Sequence, residues 1–329
     1  MPFFDRPVVE YAVRLLAKHG IRDIIIATSY TATDVMRYFG DGSAWKVKIR
    51  YCVESRPAGT AGAVKLAQPM IAGTFVVVSG DIITDFDLTR AITAHKSSSA
   101  IATILVHGVD DPTQYGMVGF SAGGAVDKFV EKPHTREAVI HTVSTGIYIL
   151  EPECLSSIAY NTAQDFGINL FPLLLRNQDP VFALEPEGYW CDVGDLLQYR
   201  NAHFDALQGK IHLDLPAIHA GEGIWVGSGV EIHPTAQLSS PVFIGSGATI
   251  GRDAVLGEHT VIGANARVDE GAYVARSVIG GGSLIGSGMR VTDSVISSGY
   301  GVIESDDRPA PASPAKPTAS QKAGFAQKT

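Results

Sequence analysis

A six-residue period in the last third of the chain constrains the fold more than any other feature of the sequence. Aliphatic residues recur at every sixth position, at Val226, Ile232, Leu238, Ile244, Ile250, Leu256, Ile262, Val268 and Val274. Neither the 3.6-residue period of an α-helix nor the two-residue period of a strand explains this spacing. Hexapeptide repeats form parallel β-helices in which each aliphatic side chain points inward and stacks on its counterpart one coil away. We therefore predict a parallel (left-handed) β-helix over residues 211–303.

The glycines in this region fit the same interpretation. Gly-Ser-Gly sequences begin at Gly227 and Gly245, directly after aliphatic positions of the repeat. We interpret them as turns between short strands and not as loops that hold a phosphate. The register slips by one residue before Ile279 and then continues. Residues 304–329 contain almost nothing apolar to bury, and we expect a disordered tail or linker there.

Residues 1–210 show a different pattern, in which strands and helices alternate. Helical spacing over 5–20 is followed by the apolar run Ile24–Ile26 and by alternating residues from Val47 to Val53. The run Phe75–Ser79 is apolar and β-branched, and we interpret it as a fully buried strand of a parallel sheet. Such alternation is typical of α/β folds, so we predict a Rossmann-like mixed sheet in this domain.

Two aspartates follow apolar strands in this α/β region. Asp81 comes after Gly80 at the end of the Phe75–Ser79 run, and Asp192 ends a short apolar stretch beginning near Trp190. Ligands of open α/β sheets bind beyond the carboxyl ends of strands, where carboxylates suit Mg²⁺ that retains water and phosphate ligands. The sequence alone does not bring the two aspartates together, and a strand ending in Gly-Asp is more often only a turn.

Two further stretches have both a functional and a structural interpretation. Residues 54–62 form a proline- and glycine-bearing loop that enters a helix over about 61–66, which suits an anionic or acceptor-rich ligand but also suits a plain connection. Glu131-Lys132-Pro133 follows an apolar strand. Lys132 has the charge to neutralise a phosphate and Glu131 can accept hydrogen bonds from sugar hydroxyls, although both also fit a solvated strand end.

Composition excludes several classes of function. The chain has 329 residues and a net charge of −8, which argues against a general nucleic-acid or membrane-surface binder. Its three cysteines are far apart and favour free thiols in a reducing compartment. Without a long apolar run or a signal-like start, we expect a cytoplasmic protein.

Taken in order, several fragments resemble the sugar-phosphate nucleotidyltransferase family, the NDP-sugar pyrophosphorylases, and most closely its mannose-1-phosphate guanylyltransferase branch. The fragments are Glu54–Gly62, Ser79–Asp81, Tyr115–Gly116, Val130–Pro133, Ser144–Tyr148, Asp165–Phe166 with Leu170–Pro172, and Gly188–Gly194. Each is common by itself, but their order ahead of a hexapeptide β-helix is specific to this family. The resemblance covers about residues 1–301.

The resemblance implies a reaction and a set of roles. A sugar 1-phosphate, with mannose 1-phosphate favoured, attacks the α-phosphorus of a nucleoside triphosphate, with GTP favoured, and pyrophosphate leaves. It implies that Asp81 and Asp192 bind Mg²⁺ and that Lys132 contacts the sugar phosphate, these three being the catalytic residues. The remaining substrate contacts that we expect on this basis are Glu54, Pro57, Gly59 and Thr60 around the base, and Gly80, Gly116, Glu131, Thr145 and Gly146 elsewhere in the site.

One departure from the family pattern affects activity. The family opens with a central strand and a Gly-Gly-x-Gly-Thr-Arg-Leu phosphate loop, and the given sequence contains neither. We expect that the chain starts at an internal methionine of a longer protein, and that as given it is weakly active or inactive.

Other classes of function stay open. A regulatory or scaffold subunit would bind a sugar nucleotide without turnover. A hexapeptide acyltransferase would need a histidine base, for which His233 and His259 are the candidates. No Gly-x-Gly-x-x-Gly sequence follows a strand near the start, which disfavours a dinucleotide oxidoreductase. We expect a homo-oligomer formed through the β-helix, while the sequence leaves the choice among mannose, glucose and heptose phosphates undecided.

Overall fold

The computed structural model describes residues 1–29, 33–134, 140–160, 162–297 and 300–303, and the predicted tail at 304–329 lies outside them. The α/β part contains β1 (Pro2–Phe3), β2 (Arg6–Pro7), α1 (Val8–Lys18), β3 (Asp23–Ser29), α2 (Thr33–Phe39), β4 (Lys48–Glu54), α3 (Gly59–Ala67), β5 (Phe75–Val78), β6 (Ile82–Thr84), α4 (Leu88–Ser98), β7 (Ala102–Gly108), β8 (Gly116–Phe120), β9 (Val126–Glu131), β10 (Thr142–Leu150), α5 (Phe171–Arg176), β11 (Val181–Leu184), β12 (Trp190–Asp192) and α6 (Leu196–Leu207).

Strand β10 is the centre of the main sheet. The sheet has the order β11-β7-β10-β8-β9, and β5 pairs with the far end of β10. All pairs are antiparallel except β11 with β7. The pairing of β10 with β7 is interrupted between Ser144 and Tyr148. This bulge turns the middle of β10 toward the loop after β5, which positions part of the candidate site.

The prediction for Phe75–Ser79 is wrong in two respects. Strand β5 is antiparallel to β10, and all four of its residues are only partly buried. Strands β3 and β4 form a separate parallel pair, and no strand among the described residues pairs with the other edge of β5 or of β3. Because Val76, Val78, Ile24 and Ile26 all pack against one hydrophobic cluster, β3 and β5 belong to the same core but are not hydrogen-bonded to each other.

The helices begin at capping residues that the sequence supplies. Helix α6 starts after Asp195, whose side chain accepts the amide of Gln198 at 2.7 Å. Helix α4 starts after Asp87 in the same way. Such caps satisfy amides that lack an intrahelical partner. A π-helical turn, Phe166–Leu170, precedes α5.

The predicted β-helix is present. Its strands are β13 (Ile218–Gly221), β14 (Ile224–Val226), β15 (Glu231–Ile232), β16 (Gln237–Leu238), β17 (Val242–Ile244), β18 (Thr249–Ile250), β19 (Val255–Leu256), β20 (Thr260–Ile262), β21 (Arg267–Val268), β22 (Tyr273–Ala275), β23 (Val278–Ile279), β24 (Leu284–Ile285), β25 (Arg290–Thr292), β26 (Val295–Ser297) and β27 (Tyr300–Ile303). They form three sheets, which are parallel apart from the antiparallel end strands β13 and β27.

The repeat positions stack as expected. Ile244 pairs in register with Ile262, and Ile262 with Ile279, so one coil contains three hexapeptides and the next is one residue shorter. These three side chains are completely buried. The predicted fold class, a mixed α/β domain followed by a β-helix, is confirmed.

The turn between β1 and β2 fastens the α/β part to the β-helix. The Asp5 carboxylate accepts the amides of Ser246 and Ala264, at 3.1 and 2.7 Å. A Cβ at Gly245 would lie 2.3 Å from an Asp5 carboxylate oxygen, so only glycine permits this approach. Burial raises the pKa of Asp5. Phe4 packs against Phe243 of the β-helix beside it.

Candidate active site

Asp81 and Asp192 lie next to each other. Strands β6 and β12 are antiparallel and pair Ile82 with Asp192. The amide of Val193 donates to the carbonyl of Asp81 at 3.0 Å. The hydroxyl of Ser79 donates to Asp81 Oδ1 at 2.5 Å. Two aspartates far apart in sequence are therefore brought together by one short strand pair.

Their proximity changes the acidity of Asp192. Burial, followed by repulsion from the Asp81 carboxylate, raises the pKa of Asp192 to about 6. Asp192 Oδ1 is buried and has no hydrogen-bond partner among the described residues. An unpaired buried carboxylate oxygen is costly, and a cation is one way to satisfy it.

These observations fit a magnesium ion held by two carboxylates. Mg²⁺ commonly takes one or two protein carboxylates and completes its shell with water and phosphate oxygens. No group of three or more His, Cys, Asp or Glu side chains suited to a metal is found in the described ranges. The donor set therefore fits an ion shared with substrate and not a closed structural metal site.

The bulge of β10 lies beside Asp81. The amide of Ser79 donates to the carbonyl of Gly146 at 3.0 Å, and Gly80 is exposed between Ser79 and Asp81. Thr145 is 1% exposed, and its hydroxyl donates to the carbonyl of Leu105 at 2.8 Å. The predicted contact of Thr145 with substrate is therefore limited to its backbone, because the side chain is used inside the sheet.

Glu131 and Lys132 end strand β9. Glu131 pairs with Gly116, and a Cβ at Gly116 would lie 2.8 Å from its carboxylate. Burial and then repulsion from Asp165 raise the pKa of Glu131. Lys132 is exposed and has the unusual φ of 44°. Its charge is close enough to Asp192 and Glu131 to offset a small part of the rise in both of their pKa values. A strained residue in this conformation is common at functional sites.

The predicted base loop is fixed mainly by contacts with residues 164–166. Glu54 accepts the amide of Ala58 at 3.0 Å. The hydroxyl of Thr60 donates to Asp165 at 2.6 Å and accepts the amide of Phe166. A Cβ at Gly59 would lie 2.4 Å from the carbonyl oxygen of Gln164. The crevice that Pro57 lines has a volume of about 40 Å³, which is room for about one water molecule.

Asp165 connects the base loop to the part of the site that contains Glu131, a role that sequence reasoning missed. The Asp165 carboxylate accepts a hydrogen bond from the Thr60 hydroxyl of the base loop. It also accepts the amides of Gly167 and Ile168, which caps the π-helical turn, and it repels the Glu131 carboxylate. The sequence offered one signal, a lone carboxylate before Phe166. Its partner at position 60 is too distant along the chain to be recognised from spacing.

An open pocket of about 560 Å³ adjoins Asp192 and was also not predicted. It is lined by residues from the end of β7, the start of β8, β12 and α6, among them His107, Tyr115, His141, Trp190 and Gln198. In the sequence, His107 at the end of the buried strand β7 was the feature that could have indicated this pocket.

The two histidines considered for acyl transfer lie elsewhere. His233 is exposed and contacts Thr235 in its own turn at 3.0 Å. His259 lies 2.7 Å from Gln208 and stacks near Phe204, so it contacts the end of α6. Among the described residues, neither histidine lies within ion-pair distance of a carboxylate that would orient it as a base.

Comparison with known proteins agrees with this geometry. Residues 1–209 match the family model described as nucleotidyl transferase, and residues 221–305 match the one described as the GMPPB C-terminal domain. The chain therefore belongs to the nucleotidyl transferase family.

Its relatives differ in the substrates that they are named for. A UTP–glucose-1-phosphate uridylyltransferase from Synechocystis sp. is 34% identical over 70% of this chain and 63% of its own length. A mannose-1-phosphate guanyltransferase from Kluyveromyces lactis is 30% identical over 72% of this chain and 66% of its own length. The chain thus spans slightly less than two thirds of these relatives.

Among solved structures, a candidate glucose-1-phosphate thymidylyltransferase from Bacillus anthracis, in complex with sucrose, has a TM-score of 0.57 and 25% identity. The similarity covers 65% of this chain and 87% of that chain.

Proposed function

We propose that the chain is the catalytic part of a sugar 1-phosphate nucleotidyltransferase, which forms an NDP-sugar and releases pyrophosphate. The observation that carries this proposal is the adjacency of Asp81 and Asp192 at the β6–β12 strand pair, with Asp192 Oδ1 unpartnered among the described residues. Lys132 and Glu131 lie near these aspartates and supply a cation and a hydrogen-bond acceptor.

The charge of each side chain in the candidate site determines which part of the substrates or metal it would bind. Asp81 and Asp192 would hold Mg²⁺, which supplies neutralisation of the phosphate oxygens. Lys132 attracts the phosphate of the sugar, and Glu131 accepts hydrogen bonds from hydroxyls. The carbonyl of Gly146 is already bound by Ser79, so the bulge itself holds the loop that carries Asp81. Phosphoryl-type transfers need mainly alignment and charge neutralisation from the protein.

Mannose 1-phosphate and GTP are our favoured substrates. The resemblance of the Gly59–Gly62 loop to the guanylyl branch and the names of several relatives support them. A relative named for glucose 1-phosphate and UTP supports the alternative pair. Measuring pyrophosphate release from each pair of substrates would decide between them.

The catalytic test uses carboxylate variants. In a version extended upstream by a strand and a glycine loop, Asp81→Asn and Asp192→Asn should each lower pyrophosphate release by about 100-fold or more, because each removes charge from the metal site. Asp253→Asn, at an exposed aspartate of the β-helix, is the matched control. If both site variants retained the activity of the control, the proposal would be wrong.

We also propose that the chain as given turns over slowly. The edges of β3 and β5 that no described strand pairs with support this, because strand β5 leads directly into Asp81 and is only partly buried. A version extended upstream by a strand and a glycine loop should release pyrophosphate faster. Equal rates from both versions would contradict this expectation.

The same open edges favour a second candidate, a regulatory or scaffold subunit that binds a sugar nucleotide without turnover. Calorimetric binding of GDP-mannose by an extended version that still releases no pyrophosphate would support it. An acyltransferase remains the remotest alternative, and absence of acetyl transfer from acetyl-CoA would remove it.

The division into residues 1–210, 211–303 and 304–329, a homo-oligomer through the β-helix and a cytoplasmic location stay predictions. No helix in the described residues has the length and apolar character needed to cross a bilayer. Gel filtration with light scattering tests the oligomer.

A further inference from the structure

The two strands that bring Asp81 and Asp192 together form a small sheet of their own. Strands β6 and β12 contain three residues each, and no further strand among the described ones is hydrogen-bonded to either. An isolated pair of strands this short is marginally stable by itself. The separation of the two aspartates therefore depends on contacts outside the strand pair.

Asp85 lies at the opposite end of this pair. Asp81 precedes β6 and Asp85 follows it, while Tyr189 precedes β12 and Asp192 ends it. Because the strands are antiparallel, Asp81 and Asp192 are at one end of the pair, and Asp85 and Tyr189 are at the other. We call these the site end and the far end.

The Asp85 carboxylate binds two backbone amides from different segments at the far end. Oδ1 accepts the amide of Tyr189 at 2.7 Å, and Oδ2 accepts the amide of His212 at 3.0 Å. The first bond fixes the start of β12, and the second fixes the connection between α6 and the β-helix. The Asp85 side chain is 10% exposed, so water competes little for these charge-assisted bonds.

The backbone around Asp85 leaves room for this carboxylate. Gly188 has a φ of 128°, and a Cβ there would lie 2.7 Å from Asp85 Oδ1. Thr84 adds a bond to the same strand start, since its hydroxyl donates to the Tyr189 carbonyl at 2.7 Å. Both polar groups of the Tyr189 backbone are thus held by side chains at the end of β6.

Two carboxylates share one ion well only when their oxygens keep a fixed separation. Residues that orient metal ligands from behind typically change metal affinity or activity by about 10- to 100-fold when they are removed. Asp85 is not itself a ligand in this arrangement, because the length of β6 separates it from Asp81. It acts on the two ligands through the strands that carry them.

We propose that Asp85 is a positioning residue, which sets the separation of Asp81 and Asp192 by fastening Tyr189 and His212 to the far end of the strand pair. This inference rests on the proposed function, because it assigns Asp85 to the metal site of that reaction.

Binding of Mn²⁺ to the full chain provides the test. Mn²⁺ prefers the same oxygen ligands as Mg²⁺, and electron paramagnetic resonance follows its binding without turnover. Asp85→Ala should raise the Kd for the ion about 10-fold. Asp85→Asn keeps one acceptor oxygen but loses the charge, and it should raise the Kd only about 3-fold.

Asp87→Ala is the matched control. Asp87 is two residues further on and caps α4 by accepting the amide of Arg90 at 3.0 Å. Its polar contacts among the described residues are with α4 and His19, and not with β12. The substitution removes a carboxylate and a bond to a backbone amide, as Asp85→Ala does, but it should leave the Kd for Mn²⁺ unchanged.

Turnover provides a second measurement in the version extended upstream. Asp85→Ala should release pyrophosphate more slowly than wild type at low Mg²⁺ and recover most of the rate at saturating Mg²⁺, because the ion then binds in spite of the weaker site. Asp87→Ala should keep the wild-type dependence on Mg²⁺. A rate deficit of Asp85→Ala that is the same at all Mg²⁺ concentrations would contradict the positioning role.

Asp81→Asn and Asp192→Asn distinguish failure of this inference from failure of the proposed function. If both weaken Mn²⁺ binding while Asp85→Ala binds the ion as wild type does, the positioning role is wrong and the metal site stands. If neither weakens binding, the proposed function loses its metal site and this inference fails with it. Equal losses in Asp85→Ala and Asp85→Asn would assign the effect to charge and would also overturn the inference. Where Asp85→Ala does not fold, an unchanged Kd in Asp85→Asn overturns it.

Discussion

At the scale of single residues, the candidate site is defined by two neighbouring carboxylates, one of which, Asp192, ionises less readily because it is buried beside the other. Asp192 is partly buried beside Asp81, and its pKa is raised to about 6. The ordinary value is 3.8, so the folded chain holds this proton more tightly than the unfolded chain. Ionisation of Asp192 therefore costs stability as the pH rises from about 4 to about 6, and the whole cost is present above that range.

Asp192→Asn should consequently stabilise the protein at pH 8 without Mg²⁺ and have little effect at pH 4. We expect a gain of about 1 kcal/mol, allowing for solvent screening of this half-buried group. Urea unfolding at the two pH values measures it, with Asp253→Asn as control. A gain of the same size at both pH values would show that the effect is not electrostatic.

The effect of Mg²⁺ on stability provides a second test of the Asp81–Asp192 pair. Wild-type protein should gain stability from Mg²⁺ at pH 8 and lose this gain below about pH 6, because protonated Asp192 is a poor ligand. Asp192→Asn should gain almost nothing at either pH. Thermal unfolding with and without Mg²⁺ measures both, and an equal gain in wild type and variant would place the ion elsewhere.

At the scale of elements, the strands around the site differ in how completely they are paired. Strand β7 is hydrogen-bonded on both edges, by β10 and β11, and its first five residues are buried. Strand β5 has one partner among the described strands, and its four apolar residues are half-exposed. Strand β5, which leads to Asp81, is thus held less firmly than β7, which lies on the other side of β10.

Amides of β5 should therefore exchange with solvent faster than those of β7, since local opening is easier where fewer contacts must break. Hydrogen–deuterium exchange with mass spectrometry compares residues 75–78 with residues 102–108. Extension upstream by a strand should slow exchange in β5 and leave β7 unchanged. Equal protection of the two strands in the chain as given would refute this explanation of its half-exposed residues.

At the scale of the whole molecule, a small contact joins the two parts. The Asp5 carboxylate binds two amides of the β-helix, and Phe3 and Phe4 are buried between α6 and the β-helix. His203 lies against both phenylalanine rings, and complete burial lowers its pKa to about 3, so it stays neutral. The residues at the start of the chain therefore belong to the interface and not to the predicted helix over 5–20.

Asp5→Ala should destabilise the protein by about 1–3 kcal/mol, because it leaves two partly buried amides without an acceptor. Asp5→Asn should cost less, since its one amide oxygen still accepts one of the two amides while its NH2 group faces the other. We expect a single unfolding transition for the wild type in calorimetry, which should broaden or divide in Asp5→Ala. Asp253→Ala is the exposed control, and an equally small effect of both alanine variants would mean that this contact does not couple the two parts.

Most of the architecture was predictable because it rests on periodicity and local signals. The six-residue period of Val226–Val274 predicted the coils of the β-helix, and the alternation of apolar runs in residues 1–210 predicted an α/β domain. The bulge of β10 at Ser144–Tyr148 was not predictable, because a bulge depends on how partner strands pair.

The sequence by itself determined the order of elements, the β-helix and the residue types available for a metal and phosphate site, since these depend on local propensity and repeat. Only the tertiary structure decided that Asp81 meets Asp192, that Asp165 links Thr60 to the Glu131 side of the site, and that one edge of β5 has no partner among the described strands. The physical reason is that these features depend on how residues far apart along the chain are brought together. Such contacts are set by the pairing of strands and the packing of layers, and no local pattern records them.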